Sequence, residues 1–325
     1  MGLPAPIIEL FAQIHTAKKI TGSVGFIARQ TTYATSNTLR DIAERYSISE
    51  MHHPKIELDN ETLAVRQRGE LLFGKKVQTI TDRCLMKSFG CDKLNFIDHS
   101  DYENADVICD LNYPIDEELK GKFDFIYNGS CLDNVFNVGI GLSNISSLLR
   151  PGGRVVMLEH CSNMNGPYLM FSPGWFNDFF SANNYADCKI YIARVKNNED
   201  LHYGPWELWY YDYLIRPDGN TPGQSLFPYL KTFIKNRLGI PIHIKERDLV
   251  CIVVAEKGKD STDEVMPNQA QYRSDSESKR LRLIQENWAS KKTDICPSLS
   301  SSFCLPKRLP RGFVRCNDLG NGLTF

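Results

Sequence analysis

At 325 residues, with 42% apolar and 24% charged side chains, the chain has ample material for one large core or two small ones. Thirty-eight basic residues against thirty-nine acidic ones exclude a general electrostatic hold on nucleic acid or anionic lipid. Ten cysteines contain no Cys-x-x-Cys pair and lie near no histidine pair at metal-ligand spacing, so no metal site is expected and they read as reduced core thiols.

In chain order, residues 1–19 form an N-terminal extension whose segment Ile7 to Ile14 reads as a helix on the domain edge. This stretch has no basic start and no long apolar run, and the longest apolar run, Leu249 to Ala255, is too short to span a bilayer. A soluble, cytoplasmic protein without membrane contact is therefore expected. Gly22 to Ala28 reads as a first strand, and Ser36 to Tyr46 as a helix capped by Ser36 or Asn37. Residues 47–70 are polar and read as a surface excursion. Thr81 to Phe89 suits a helix closed by Gly90; Lys93 to Asp98 and Ala105 to Cys109 suit strands, the second followed at once by Asp110.

Phe123 to Tyr127 is a short aromatic run of buried-strand type, broken by Asn128, Gly129 and Ser130, which permit a sharp bend and leave room for a ligand. Val135, Ile140, Ile145, Leu148 and Leu149 recur at helical spacing, Pro151-Gly152-Gly153 ends that helix, and Arg154 to Glu159 is again a strand. A helix over Pro173 to Phe180 and strands over Cys188 to Val195 and Leu249 to Glu256 complete the alternation. Residues 197–248 interrupt it with the aromatic stretch Tyr203 to Tyr213, readable as a packed strand or as a lid or substrate wall, and as a surface for a protein partner. Residues 258–325 turn polar and read as a disordered tail with a helix at 277–288 and a basic end.

The fold expected is α/β: a Rossmann-like, doubly wound, mostly parallel sheet over 20–257, with helices on both faces and a late aromatic-rich insertion. Ligands in such sheets sit beyond the carboxyl ends of the strands. Asp98 and Asp110 lie on that rim, suited either to accept hydrogen bonds from a ligand or to cap nearby backbone amides. The Gly-x-Gly-x-x-Gly of dinucleotide folds is missing, since the first strand leads into Ala28-Arg29-Gln30, which counts against NAD or FAD.

Phe96-Ile97-Asp98, Asp110-Leu111-Asn112, Phe123 to Asn137, Leu148 to Gly153 and Phe171-Ser172-Pro173 occur in an order that resembles class I S-adenosylmethionine-dependent methyltransferases, and a bacterial subset of them in particular. The resemblance covers about residues 20–195. It implies S-adenosylmethionine as cofactor, with Asp98 on the ribose, Asp110 and Leu111 at the adenine, Asn128, Gly129 and Ser130 under the methionine part, and Arg29 and Gln30 lining the cofactor loop. It also implies methyl transfer to oxygen or nitrogen of a small or saccharide-like acceptor, for which Asp133 and His160 are the local candidates for a general base. The chain departs from the subset where Asn128-Gly129-Ser130 replaces Asp-Gly-Gly, Asp133-Asn134 replaces Glu-His, and Ala28 replaces a glycine. Those changes motivate a second expectation: a methyltransferase fold that has lost catalysis and serves as a binding or assembly module. Such a retired site would be filled by Tyr127, Tyr102 or Arg29.

Overall fold

The computed structural model describes residues 2–51, 57–58, 71–72, 75–76, 79–162, 167–196, 198–211, 248–269, 272–291, 302–304 and 313–314. Most of the expected excursion at 47–70, residues 212–247 of the insertion, and the basic end of the tail lie outside them. The helices are α1 (Ala5–Ala17), α2 (Ser36–Tyr46), α3 (Asp82–Ser88), α4 (Val138–Leu148), α5 (Pro173–Ala182), α6 (Asn198–Tyr203) and α7 (Asp275–Ser290). The strands of the main sheet are β1 (Ser23–Ile27), β2 (Lys93–Asp98), β3 (Val107–Ile108), β4 (Phe123–Gly129) and β5 (Leu149–Ser162), followed by β6 (Asp187–Val195), β7 (Trp206–Tyr211), β8 (Asp248–Glu256), β9 (Phe303–Cys304) and β10 (Phe313–Val314).

Their order is β9-β7-β6-β8-β5-β4-β1-β2-β3, with β10 also on β7. β3, β2, β1, β4 and β5 run parallel, and β8 enters antiparallel between β5 and β6. The sheet is Rossmann-like, as expected. From β1 the chain winds outward to β2 and β3; from β4 it winds the other way to β5. Right-handed crossovers then put the helices of the two halves on opposite faces and leave a crevice where β1 and β4 lie side by side.

The same residues explain the local structure. α2 starts at Thr35, whose hydroxyl takes the Thr38 N–H while the Thr38 hydroxyl takes the Thr35 N–H, so the cap stands one residue before those expected. α5 is capped by Ser172 of the Phe-Ser-Pro stretch. β4 continues through Asn128 and Gly129, because both remain in register with β5 and Ser130 N–H still reaches the Leu158 carbonyl at 2.7 Å.

α1 lies in the core, which corrects its expected place at the edge. It is apolar almost all round, and such a helix must be covered on every side. Phe11 sits 6.5, 5.5 and 5.1 Å from the rings of Phe26, Phe125 and Tyr127. Its buried Glu9 is held by Arg45 at 2.6 Å and the Tyr46 hydroxyl at 2.8 Å.

The tail also needs correcting. Residues 258–269 and 272–291 are ordered on the domain, and α7 buries Leu281 and Trp288, whose indole N–H donates to the Tyr185 carbonyl at 2.7 Å. Trp206, Leu208, Trp209 and Tyr210 are buried in β7, so this part of the aromatic segment packs as a strand.

Candidate functional site

A cavity of about 380 Å³ opens in the crevice at the carboxyl ends of β1, β2, β3 and β4. Ile27 and Ala28 line it from β1, Asp98 and His99 from β2, Asp110, Leu111 and Asn112 from the turn after β3, and Ser130, Cys131, Asn134 and Val135 from the turn after β4.

Asp98 both caps and stays available. Its Oδ1 accepts the His99 backbone N–H at 2.6 Å and meets the His99 ring at 2.7 Å, while no hydrogen bond to Oδ2 occurs among the described residues. An acceptor-only oxygen at a strand end suits a ligand hydroxyl. Asp110 is used locally. Its Oδ1 accepts the backbone and side-chain N–H groups of Asn112, both at 2.9 Å, and those bonds hold its carboxyl below the usual range. Asn144 steadies this turn by donating to the carbonyls of Leu111 and Tyr113 at 3.1 and 2.7 Å.

Two wall residues carry backbone strain. Ala28 has φ 56° and Ser130 φ 60°, a left-handed conformation that a Cβ disfavours.

Arg29 turns away from the cavity. Its Nε and Nη2 grip buried Asp82 at 3.0–3.2 Å, and its guanidinium lies 4.4 Å from the Phe96 ring centroid. Burial raises the Asp82 carboxyl, with Arg29 opposing it. Gln30 is also absent from the lining: its Nε2 donates to the Ile27 carbonyl at 2.8 Å and approaches Cys131 Sγ at 3.5 Å. Its Oε1 stands 2.3 Å, and the Tyr127 ring 2.7 Å, from where a Cβ on Gly129 would lie, so a larger residue there would have to displace them. Asn128 and Gly129 are wholly or nearly buried beneath the rim, and of this expected trio only Ser130 reaches the cavity.

Asp133 and His160, separated by 27 positions, meet at the ends of β4 and β5. His160 Nδ1 lies 2.7 Å from Asp133 Oδ2, and Ser130 Oγ lies 2.7 Å from that oxygen and 2.9 Å from the same nitrogen. Asp133 is fully buried and His160 partly exposed. The carboxylate requires the ring proton on Nδ1, which leaves Nε2 with its lone pair and no protein partner among the described residues. Serine and aspartate share one ring nitrogen, whereas a nucleophilic serine needs the nitrogen opposite the aspartate. The geometry of the cluster is therefore not that of a serine nucleophile. Ser130 also lines the cavity, so the His160–Asp133 pair and the cavity adjoin through it.

Beside them lies a pair that sequence reading missed. Glu159 is fully buried, and its Oε1 accepts from Asn128 Nδ2. Burial first, and Asp133 second, push its carboxyl well above the usual range. Burial also pushes the Cys131 thiol up to about 12, which keeps it an unreactive thiol. Among the described residues there is no group of three or more metal-ligating side chains, and no helix is long and apolar enough to cross a membrane.

No protein-family model matches the chain. It is similar to the polyketide methyltransferase ustM of Ustilaginoidea virens, 33% identical over 72 residues, covering 22% of this chain and 16% of that protein. It is also similar to the reducing polyketide synthase grgA of a Penicillium species, 37% identical over 68 residues, covering 20% of this chain and 3% of that one. The matches therefore span under a fifth of the length of either relative. Among solved structures, phosphoethanolamine N-methyltransferase 2 of Haemonchus contortus with S-adenosyl-L-methionine superposes with TM-score 0.33 at 14% identity, covering 68% of this chain and 60% of that one. The O-methyltransferase of a Brevibacillus brevis trans-AT polyketide synthase, with S-adenosyl-L-homocysteine, gives 0.36 at 11%, covering 89% and 78%. These superpositions are loose, and the fold is read from the strand order itself.

Proposed function

We propose that the protein is an S-adenosylmethionine-dependent methyltransferase acting on a hydroxyl of a small molecule, with His160 as general base and Asp133 as the group that orients it. The observation that carries this reading is the juxtaposition, across Ser130, of an open cavity bearing the free Asp98 oxygen with a histidine whose Nε2 is unengaged. The residues present fit the cofactor. Asp98 Oδ2 would take a ribose hydroxyl, and Leu111 and Asn112 would flank the adenine. The turns at Ala28 and Ser130 would border the methionine part. When bound, the cofactor supplies an electrophilic methyl group on a sulfonium. His160 Nε2 takes the acceptor's proton, and the Asp133 carboxylate stabilises the imidazolium that results. Ser130, donating to Asp133, fixes the carboxylate's rotamer.

The rim bears on the acceptor. Phe136 and Tyr168 are 85% and 72% exposed, with ring centroids 6.4 Å apart in an edge contact. Tyr168 and Leu169 donate to the Asp133 carbonyl, and Phe171 donates to that of His160, so this segment runs along the base. An acceptor with an apolar face beside its hydroxyl suits such a rim better than a saccharide-like one. The names of the two relatives, both concerned with polyketides, agree with that preference.

The non-catalytic alternative draws on the substitutions at Ala28, Asn128, Ser130 and Asn134. Against it stands the open cavity. Tyr127 is buried against α1 with its hydroxyl on the Gly2 carbonyl, Arg29 is committed to Asp82, Tyr102 points to solvent, and none of the three lines the space. Calorimetric titration with S-adenosylmethionine and S-adenosylhomocysteine tests the reading: binding is expected in the wild type and lost in Asp98→Ala. No heat and no thermal stabilisation at millimolar ligand would leave the non-catalytic reading in its place.

A further inference from the structure

Glu159 and Asn128 form a buried pair that the proposed chemistry does not use. Both are fully buried, and each has one oxygen without a partner. Asn128 Nδ2 donates to Glu159 Oε1, which leaves Asn128 Oδ1 and Glu159 Oε2 orphaned on the two groups that already touch. Two partnerless acceptors on touching groups in a dry site have nothing to share. A single hydrogen on Oε2 satisfies both at once, because Oε2–H then donates to Oδ1 and closes a ring of two parallel hydrogen bonds between acid and amide. The strand register permits this. Asn128 is level with Met157, so Glu159, two residues further along β5, projects from the same face of the sheet.

We propose that Glu159 is a neutral carboxylic acid that clasps Asn128 in a two-bond ring, tying the ends of β4 and β5 and acting as a positioning residue for His160. The direction in which burial and Asp133 shift this carboxyl agrees. Around it stand Asp133, Tyr127 and Cys131 at the end of β4, and Cys251 on β8 opposite Glu159, while the Asn128 amide and the Asp133 backbone N–H work against the upward shift without reversing it. Burial keeps the tyrosine and both thiols protonated, so none of the three adds a negative charge beside the imidazole. The ring is anchored one residue before His160, and it sets the backbone from which the base projects. The protonation state stands on the geometry alone; the role beside the base rests on the methyltransferase reading.

The experiment uses the full chain without cofactor, so its outcome is separate from that of the ligand titration. The His160 imidazole is titrated by NMR in the wild type and in Glu159→Gln. If Glu159 is neutral, exchanging one uncharged group for another leaves the His160 midpoint unchanged. If Glu159 is ionised, the exchange removes a nearby negative charge and lowers the midpoint, which overturns the proposal. Infrared spectra of the wild type alone keep the question open to test should Glu159→Gln not fold. A protonated-carboxyl C=O band from a glutamate side chain, present at neutral pH and persisting as pH rises through the ordinary carboxylate range, is expected; its absence at neutral pH refutes the ring. Asn128→Leu, which removes the clasp, shifts the His160 midpoint if Glu159 positions the base. An unchanged midpoint there refutes the positioning role.

Discussion

Ser130 gives the sharpest quantitative test, because its backbone and its hydroxyl pull in opposite directions. The hydroxyl lies 2.7 Å from the Asp133 carboxylate, in a buried setting where a bond to a charged partner contributes about 1.5–3 kcal/mol. The backbone at φ 60° costs a residue with a Cβ about 1–2 kcal/mol. Ser130→Ala loses the bond and keeps the strain. Ser130→Gly loses the bond and the strain, but gives the unfolded chain about 0.4–1 kcal/mol of extra conformational freedom. Glycine should therefore come out ahead of alanine by about 0.5–1 kcal/mol, with both below the wild type. At ordinary helix and strand positions the order is the reverse. Urea unfolding at constant slope measures the three stabilities directly. Alanine equal to or above glycine would mean that position 130 does not hold the left-handed conformation, and the account of the cavity wall would fall with it.

Phe11→Ala should destabilise by about 3–5 kcal/mol, since the ring is fully buried against three aromatic side chains; a loss below about 1 kcal/mol would return α1 to the domain edge. His160→Gln is expected to lower methyl transfer about 10²–10⁴-fold while leaving the calorimetric affinity for S-adenosylmethionine intact; an equal loss of both would place His160 in binding rather than in proton transfer. Glu159 predicts a pH dependence. Its folded carboxyl lies well above the ordinary 4.5, so the native state keeps a proton that the unfolded chain releases. The stability it contributes is fully present below that ordinary value and declines as pH rises through the folded one. Wild type should thus lose stability from acid to neutral pH more steeply than Glu159→Gln, and parallel thermal-unfolding profiles would contradict this.

Much of the scaffold was legible because apolar runs and turn residues mark strands and helices locally. The runs at 93–98, 187–195 and 248–256 became strands within a residue of their expected bounds, and 36–46 became a helix over its expected span. The errors came where tertiary contacts override local cues. Asn128 and Gly129 read as breakers, yet pairing with β5 carries β4 through them. Residues 7–14 read as an edge helix because Glu9 and Gln13 are polar, yet both are buried, and the partners of Glu9, Arg45 and Tyr46, lie on α2. At the site, strand-end positions picked out the rim aspartates and named Asp133 and His160 as separate candidates, while their contact with each other was visible only in the fold. The direction taken by Arg29 did not, since its partner Asp82 is 53 residues away and nothing local joins them. Glu159 went unnoticed for a related reason: inside a strand its charge is a local contradiction, resolved by Asn128 on the neighbouring strand.

The antiparallel strand β8 carries a consequence for the order in which the molecule assembles. It stands between β5 and β6, its register running from Leu249 opposite Ser162 to Glu256 opposite Arg154 on one side and from Asp248 opposite Val195 to Glu256 opposite Asp187 on the other. A growing chain that has produced residues up to 211 therefore holds two incomplete sheets, one ending at β5 and the other beginning at β6, each with an unsatisfied backbone edge. Those edges are apolar and long, the kind that recruits strands from other molecules. Only when residues 248–256 arrive does a single wedge close both edges at once. The late strand is thus the keystone of the fold, and a nascent chain halted before it is the species most in need of a chaperone.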